Sequence, residues 1–223
     1  MNSNLQVVVT RDGSSTLFIP ELNEHYHSHR GAQGESEHVY IKVGLRPLMA
    51  QQSHIKILEI GMGTGLNFVL TLQEALNNPQ VSLEYHTLEP FPLPWEVAKQ
   101  LKFPVLEGND VLQTAFREIH GDWEHKRFSP NFEAWKYADK LENFCAEKDF
   151  DLVYFSAFAP TKQPELWSPA SFAHLKKLMK PNSYFVTYAS QGQARRNMQS
   201  AGFEVVKVRG ALGKSEMVKA FCR

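Results

Sequence analysis

The sequence has 223 residues, a length that favours one domain or one domain with a modest appendage. Apolar residues make up 43% and charged residues 22%, which excludes a disordered chain, and 24 Lys and Arg balance 24 Asp and Glu, so no bulk basic charge announces nucleic acid. The balance is uneven along the chain: residues 162–223 carry 11 basic and 3 acidic residues. That third of the chain is either a positive face for a polyanion or a set of scattered, solvated lysines.

In chain order, Val7–Val9 and Leu17–Ile19 read as two strands joined across Asp12-Gly13, a strong turn pair. The polar stretch from Glu21 to His38, with four histidines, Gly31 and Gly34, reads as loop or short helix, a linker or a lid. Ile57–Ile60 is a strand that runs into Gly61-Met62-Gly63-Thr64-Gly65 and a helical pattern over 66–76. Further strands fall at 83–88, 132–136, 152–155 and 184–188, with a helix around 171–179. The last two, 203–208 and 217–221, lack a helix-length spacer and close the sheet as an antiparallel hairpin. Alternating strands and helices define an α/β, Rossmann-like fold. The expectation is a seven-stranded mixed sheet in residues 51–223, preceded by a β-hairpin and lid-like extension in residues 1–50.

Cys145 and Cys222 match no zinc or redox spacing, and the opening Met1-Asn2-Ser3-Asn4-Leu5 lacks the charged and apolar regions of a signal peptide. No apolar run approaches the roughly 20 residues of a membrane helix. A cytoplasmic protein is expected, with no membrane partner. His25, His27, His29 and His38 alternate along an extended segment, but no cysteine or acid cluster completes a metal set, and none is expected.

The strand followed by Glu59-Ile60-Gly61-Met62-Gly63-Thr64-Gly65 is the most informative local feature. Its third glycine arrives one residue too early for a dinucleotide fingerprint, and no Gly-Lys-Ser/Thr follows for a phosphate loop. The spacing resembles motif I of class I S-adenosylmethionine (SAM)-dependent methyltransferases. That resemblance implies cofactor contacts from Glu59, Gly61, Gly63, Thr64, Gly65 and Asn67. Glu89, at the end of the second strand, would take the ribose hydroxyls, and Asp139, after the third, the adenine amino group. Taken singly, a carboxylate at a strand end is more often a solvated turn residue.

The segment Phe155-Ser156-Ala157-Phe158-Ala159-Pro160-Thr161-Lys162-Gln163-Pro164-Glu165-Leu166-Trp167 resembles the Phe-Asp-Ala/Gly-Phe-Ala-Pro-x-Lys-x-Pro-x-x-Trp signature of the MnmC-like methyltransferases. Other blocks agree: Glu21 to Ser28 with Gly31 and Glu35-Ser36, Leu66-Asn67-Phe68 after the glycines, Phe91-Pro92-Leu93, Gln191 to Arg196, Ala201-Gly202-Phe203, and Gly213-Lys214-Ser215-Glu216-Met217. With no second glycine-rich dinucleotide loop, the chain resembles the stand-alone form, MnmD. The resemblance implies methyl transfer from SAM to the primary amine of 5-aminomethyl(-2-thio)uridine at the wobble position of the tRNA anticodon loop. It also implies a separate flavin-dependent partner that supplies the aminomethyl intermediate.

The family carries an Asp where this chain has Ser156, and an Arg where it has Ser215. A serine hydroxyl can orient an amine but is no useful base near neutral pH. Three readings stay open: catalysis that uses water or Glu35 as proton acceptor, a changed acceptor, or a SAM- and tRNA-binding pseudoenzyme. Tyr26, Phe158, Lys162, Arg195, Arg196 and Lys214 are the candidate substrate contacts, the aromatics by stacking on an unpaired base and the cations on phosphates. Trp167 and the 123–135 stretch read as core. A methyltransferase for a small-molecule amine is disfavoured by the basic final third.

Overall fold

The computed structural model describes residues 4–147 and 149–223. Met1 to Ser3, part of the segment read for a leader, lie outside the described residues, as does Lys148. Strands β1 (Gln6–Val9), β2 (Ser15–Ile19) and β3 (Glu24–His25) form an antiparallel three-stranded sheet. The expected hairpin is there, with a two-residue third strand added. The polar stretch then turns helical, as α1 (Ala32–Ser36), a π-helical segment (Glu37–Leu45) and α2 (Arg46–Met49). The wide turns bury Val39, Tyr40, Ile41 and Leu45, which share one apolar cluster with Leu17 and the main sheet. Gly44 lets this segment lie on the sheet: a Cβ there would come within 3.1 Å of Val186, and the Gly44 carbonyl accepts the Tyr184 hydroxyl at 2.6 Å.

The main sheet contains β4 (His54–Ile60), β5 (Ser82–Leu88), β6 (His125–Ser129), β7 (Phe132–Tyr137), β8 (Phe150–Phe155), β9 (Met179–Thr187), β10 (Phe203–Arg209) and β11 (Glu216–Cys222). Its order is β10-β11-β9-β8-β4-β5-β7-β6. Strands β7, β5, β4, β8 and β9 are parallel neighbours, while β6 pairs antiparallel with β7, β11 with β9, and β10 with β11. The sheet therefore has one strand more than the expected seven. The addition is β6, a charged edge strand in the 123–135 stretch that reads as core from its aromatics. Phe132 is buried, but Trp123, Phe128 and Trp135 are only partly so, because they flank an edge.

Strand β8 is buried at every position, as an apolar run should be at the centre of a parallel sheet covered on both faces. The covering helices are α3 (Leu66–Asn77), the short α4 (Trp95–Ala98), α5 (Asp110–Ile119), α6 (Pro169–Leu178) and α7 (Gly192–Ser200). Asn109 caps α5 by accepting the Leu112 N–H at 3.0 Å, and Ser168 caps α6 ahead of Pro169. After β4 the chain builds β5 and β7 on one side, then returns to lay β8 on the other. Strand order reverses at β4 and β8, and ligands of open α/β sheets bind outside the carboxyl ends of strands at such a point. Among the described residues no helix is long and apolar enough to cross a membrane.

Candidate active site

Both segments singled out in the sequence leave the sheet at this switch point. Gly61 follows β4 and Ser156 follows β8, and the Ser156 N–H donates to the Ile60 carbonyl at 3.0 Å. Gly61 has φ +87°, and a Cβ there would sit 3.2 Å from the Ser156 carbonyl, so only glycine lets the two loops meet. Gly63, at φ +52°, lies under the Tyr26 ring, 2.9 Å from where its Cβ would be. At these two glycines the close approach belongs to protein atoms.

One acid bonds the glycine loop directly, and a second lies buried on the strand that leads into it. Glu89 accepts the Gly63 N–H at 2.9 Å and the Phe91 N–H at 3.0 Å, and burial raises its pKa. Glu59 is fully buried and accepts from Asn67 Nδ2 and the Thr87 hydroxyl, each at 2.9 Å. Burial pushes its pKa up to about 7 despite those two donors. Asn67 Nδ2 also reaches the Ser156 hydroxyl at 3.4 Å, while its buried Oδ1 has no protein partner. Asp139, in the loop after β7, accepts from the Lys140 N–H and Asn143 Nδ2, which hold its pKa down. This donor set suits SAM: carboxylates fit ribose hydroxyls and a cationic sulfonium, and the glycine loop carries no Lys or Arg for phosphates. Among the described residues no group of three or more His, Cys, Asp or Glu could hold a metal.

Thr64 is gripped from two sides. Its hydroxyl is 2.7 Å from His27 Nε2, and its carbonyl 3.2 Å from His120 Nε2. Burial lowers both imidazoles to about 4, so each is neutral near pH 7.

Beside the loop opens a cleft of about 560 Å³, walled by residues 24–30 and Glu35 on one side and by 188–191 and 213–216 on the other. Glu35 is buried, accepts the Ser28 N–H at 3.0 Å and forms an ion pair with Lys214. Tyr188 donates its hydroxyl to the Ala157 carbonyl at 3.0 Å, which fixes the ring next to Ser156. Tyr26 packs edge-on against Phe158, with centroids 5.0 Å apart.

Glu35, Lys214, Tyr26, Phe158 and Ser156 are thus brought together. Lys162 is partly exposed on the loop after Phe158, whereas Arg195 and Arg196 stand on α7, bonded to the Ser190 carbonyl and the Gln193 side chain. Trp167 is buried and donates to the Phe158 carbonyl at 2.8 Å, which braces the loop after β8. Sequence reasoning missed His27, His120 and Tyr188. His27 was visible only within the alternating histidines, and the other two carried no local signal.

Sheet order, switch point and glycine loop together define a class I SAM-dependent methyltransferase. Residues 133–223 match a family model described as S-adenosyl-L-methionine-dependent methyltransferase. Over 221 residues the chain is 30% identical to the tRNA 5-methylaminomethyl-2-thiouridine biosynthesis bifunctional protein MnmC of Cupriavidus necator, covering 92% of this chain and 33% of that protein. The protein of the same name from Campylobacter hominis is 27% identical, covering 92% and 31%. The chain spans about a third of the length of these curated relatives. The crystal structure of MnmC2 from Aquifex aeolicus superposes with a TM-score of 0.79 at 26% identity, covering 100% of this chain and 72% of that one. Spermidine synthase from Thermotoga maritima, at 14% identity and TM-score 0.54 over 93% of this chain and 68% of its own, shares the fold. Over most of its length the chain is similar to the MnmC-like methyltransferases.

Proposed function

We propose that this methyltransferase acts on tRNA, moving a methyl group from SAM to the primary amine of 5-aminomethyl(-2-thio)uridine at the wobble position. The observation that carries this reading is the seating of the 155–167 loop directly on the glycine loop, at Ser156 against Gly61, with Ala159 of the same loop lining the cleft. The named relatives act in the biosynthesis of tRNA 5-methylaminomethyl-2-thiouridine, the methylated product of that transfer. A flavin-dependent partner activity would supply the aminomethyl group.

SAM, when bound, supplies an electrophilic methyl on a sulfonium. The glycine loop, Glu89, Asn67 and Asp139 would hold it, and Glu59 keeps Asn67 in place from behind. The protein's further task is to orient the amine, since positioning dominates such transfers. An alkylamine has a pKa of about 10, so it must give up a proton. Ser156 can orient the nitrogen but not take that proton, and Glu35, a buried carboxylate of the cleft, can. Tyr26 and Phe158 supply a face for the extruded base, while Lys162, Arg195 and Arg196 supply charge for the backbone.

A second reading, a SAM- and tRNA-binding protein with impaired catalysis, rests on Ser156 standing at the family Asp position. Labelled SAM and tRNA bearing 5-aminomethyl groups decide between the two. Turnover by the native chain supports the enzyme. Silence from the native chain with turnover by Ser156→Asp supports the impaired form, and silence from both with SAM bound refutes the wobble-uridine assignment.

A further inference from the structure

The cleft already contains a primary amine. Lys214 Nζ contacts the Glu35 carboxylate and lies 5.1 Å from the centroid of the Tyr188 ring. A carboxylate under an aromatic face is a seat for an alkylammonium, where charge-assisted hydrogen bonding and the ring quadrupole act on the same cation. The seat is well built. The Ser28 N–H fixes the other Glu35 oxygen, and Tyr188 is anchored to Ala157, one residue from Ser156. Its occupant is not so fixed. Lys214 extends from the turn between β10 and β11, its side chain a third exposed at 34%, on a flexible stem free to withdraw into solvent.

We propose that Glu35 and Tyr188 form the seat for the amine of the acceptor, and that Lys214 is a tethered stand-in that leaves when that amine arrives. This rests on the reading that the acceptor is a primary amine. The stand-in keeps a buried carboxylate paired between turnovers and makes entry competitive, so that only a group able to replace an ammonium can enter.

Benzylamine, a methylamine on a planar ring, probes the seat without tRNA or SAM. Its binding to the full chain is read by saturation-transfer NMR, alongside melting curves that verify folding. If the tether leaves the seat free about a tenth of the time, emptying it tightens benzylamine about tenfold. Lys214→Met and Lys214→Gln should both show that gain. Lys214→Arg should keep the native weakness, and Glu35→Gln should abolish binding with or without Lys214. Unchanged or weaker binding in both Met and Gln variants overturns the proposal, as does benzylamine binding that survives Glu35→Gln. The tRNA assay above fails independently: an amine seat that responds as expected in a chain inert on tRNA would sink the wobble-uridine reading and leave the seat standing.

Discussion

His27, from the segment that leaves the small N-terminal sheet, meets the hydroxyl of Thr64 in the glycine loop at 2.7 Å. The two residues are 37 apart in sequence and lie in loops that follow strands of different sheets, β3 and β4, so the N-terminal segment forms part of the wall of the cofactor loop. Removing the imidazole with His27→Ala should cost about 1 kcal/mol of stability. It should also weaken S-adenosylhomocysteine binding several-fold, as read by calorimetry. Unchanged affinity would mean that the loop holds its shape without this contact.

Acid should loosen the fold through buried imidazoles. His27 and His120 are lowered from 6.5 to about 4, and His86 to about 3, in each case by burial. Below pH 6.5 the unfolded chain takes up protons that the folded chain refuses, so stability falls as pH drops from 6.5 toward 4. Glu59 works the other way. Its value is raised from 4.5 to about 7, so folding holds a proton that the unfolded chain releases, and stability is lost as pH rises through that window. Urea unfolding across pH should show a shallower acid slope in His27→Gln and a gain above pH 7 in Glu59→Gln. A His27→Gln profile that overlays the native one would refute the assignment.

Gly63→Ala should destabilise on two counts. A left-handed φ of +52° costs a side chain roughly 1–2 kcal/mol, and the new methyl meets Tyr26 at 2.9 Å. Only the second cost depends on the ring. A cycle with Tyr26→Ala should therefore show a coupling of about 1 kcal/mol, with the double variant more stable than the sum of the singles predicts. Strict additivity would place Tyr26 elsewhere in solution.

Ser156→Asp should raise turnover, by tenfold or more, without tightening SAM. A carboxylate there adds a proton acceptor at the mouth of the site, within reach of the Asn67 amide that now bonds the serine. Its proximity to buried Glu59 should raise the pKa of that acid further. A variant with lower turnover than the native chain would make Glu35 the sole acceptor.

Arg196 is exposed on α7 and bonded only within its own helix turn. If it meets a phosphate, Arg196→Gln should weaken tRNA binding across sequences and reduce the slope of log affinity against log salt by about one. An unchanged slope would assign this arginine to solvent.

The strand–loop–helix unit at residues 54–77 was legible because its signals are local: an apolar run, glycines at fixed spacing, then helical periodicity. The same holds for Ser156, marked by the unusual segment around it. Strand β6 was hidden, since His125-Lys126-Arg127 carries no apolar face and an edge strand needs none. The π-helical segment was hidden for the opposite reason, because its wide turns are imposed by the sheet it packs on and not by its own pattern. Glu35 was visible as a candidate acid. Its pairing with Lys214 was not, since the partners lie 179 residues apart and nothing local records their meeting.

That separation also has a bearing on synthesis. One wall of the cleft, residues 24–35, leaves the ribosome early, and the last part of the opposite wall, residues 213–216, only after every strand but β11 has been made. A domain folds as a unit, and β11 lies between β10 and β9 in the main sheet, so the cleft is completed only when the final strand is released. A chain stopped short of β11 lacks both the end of that cleft wall and the strand that joins β10 to the sheet.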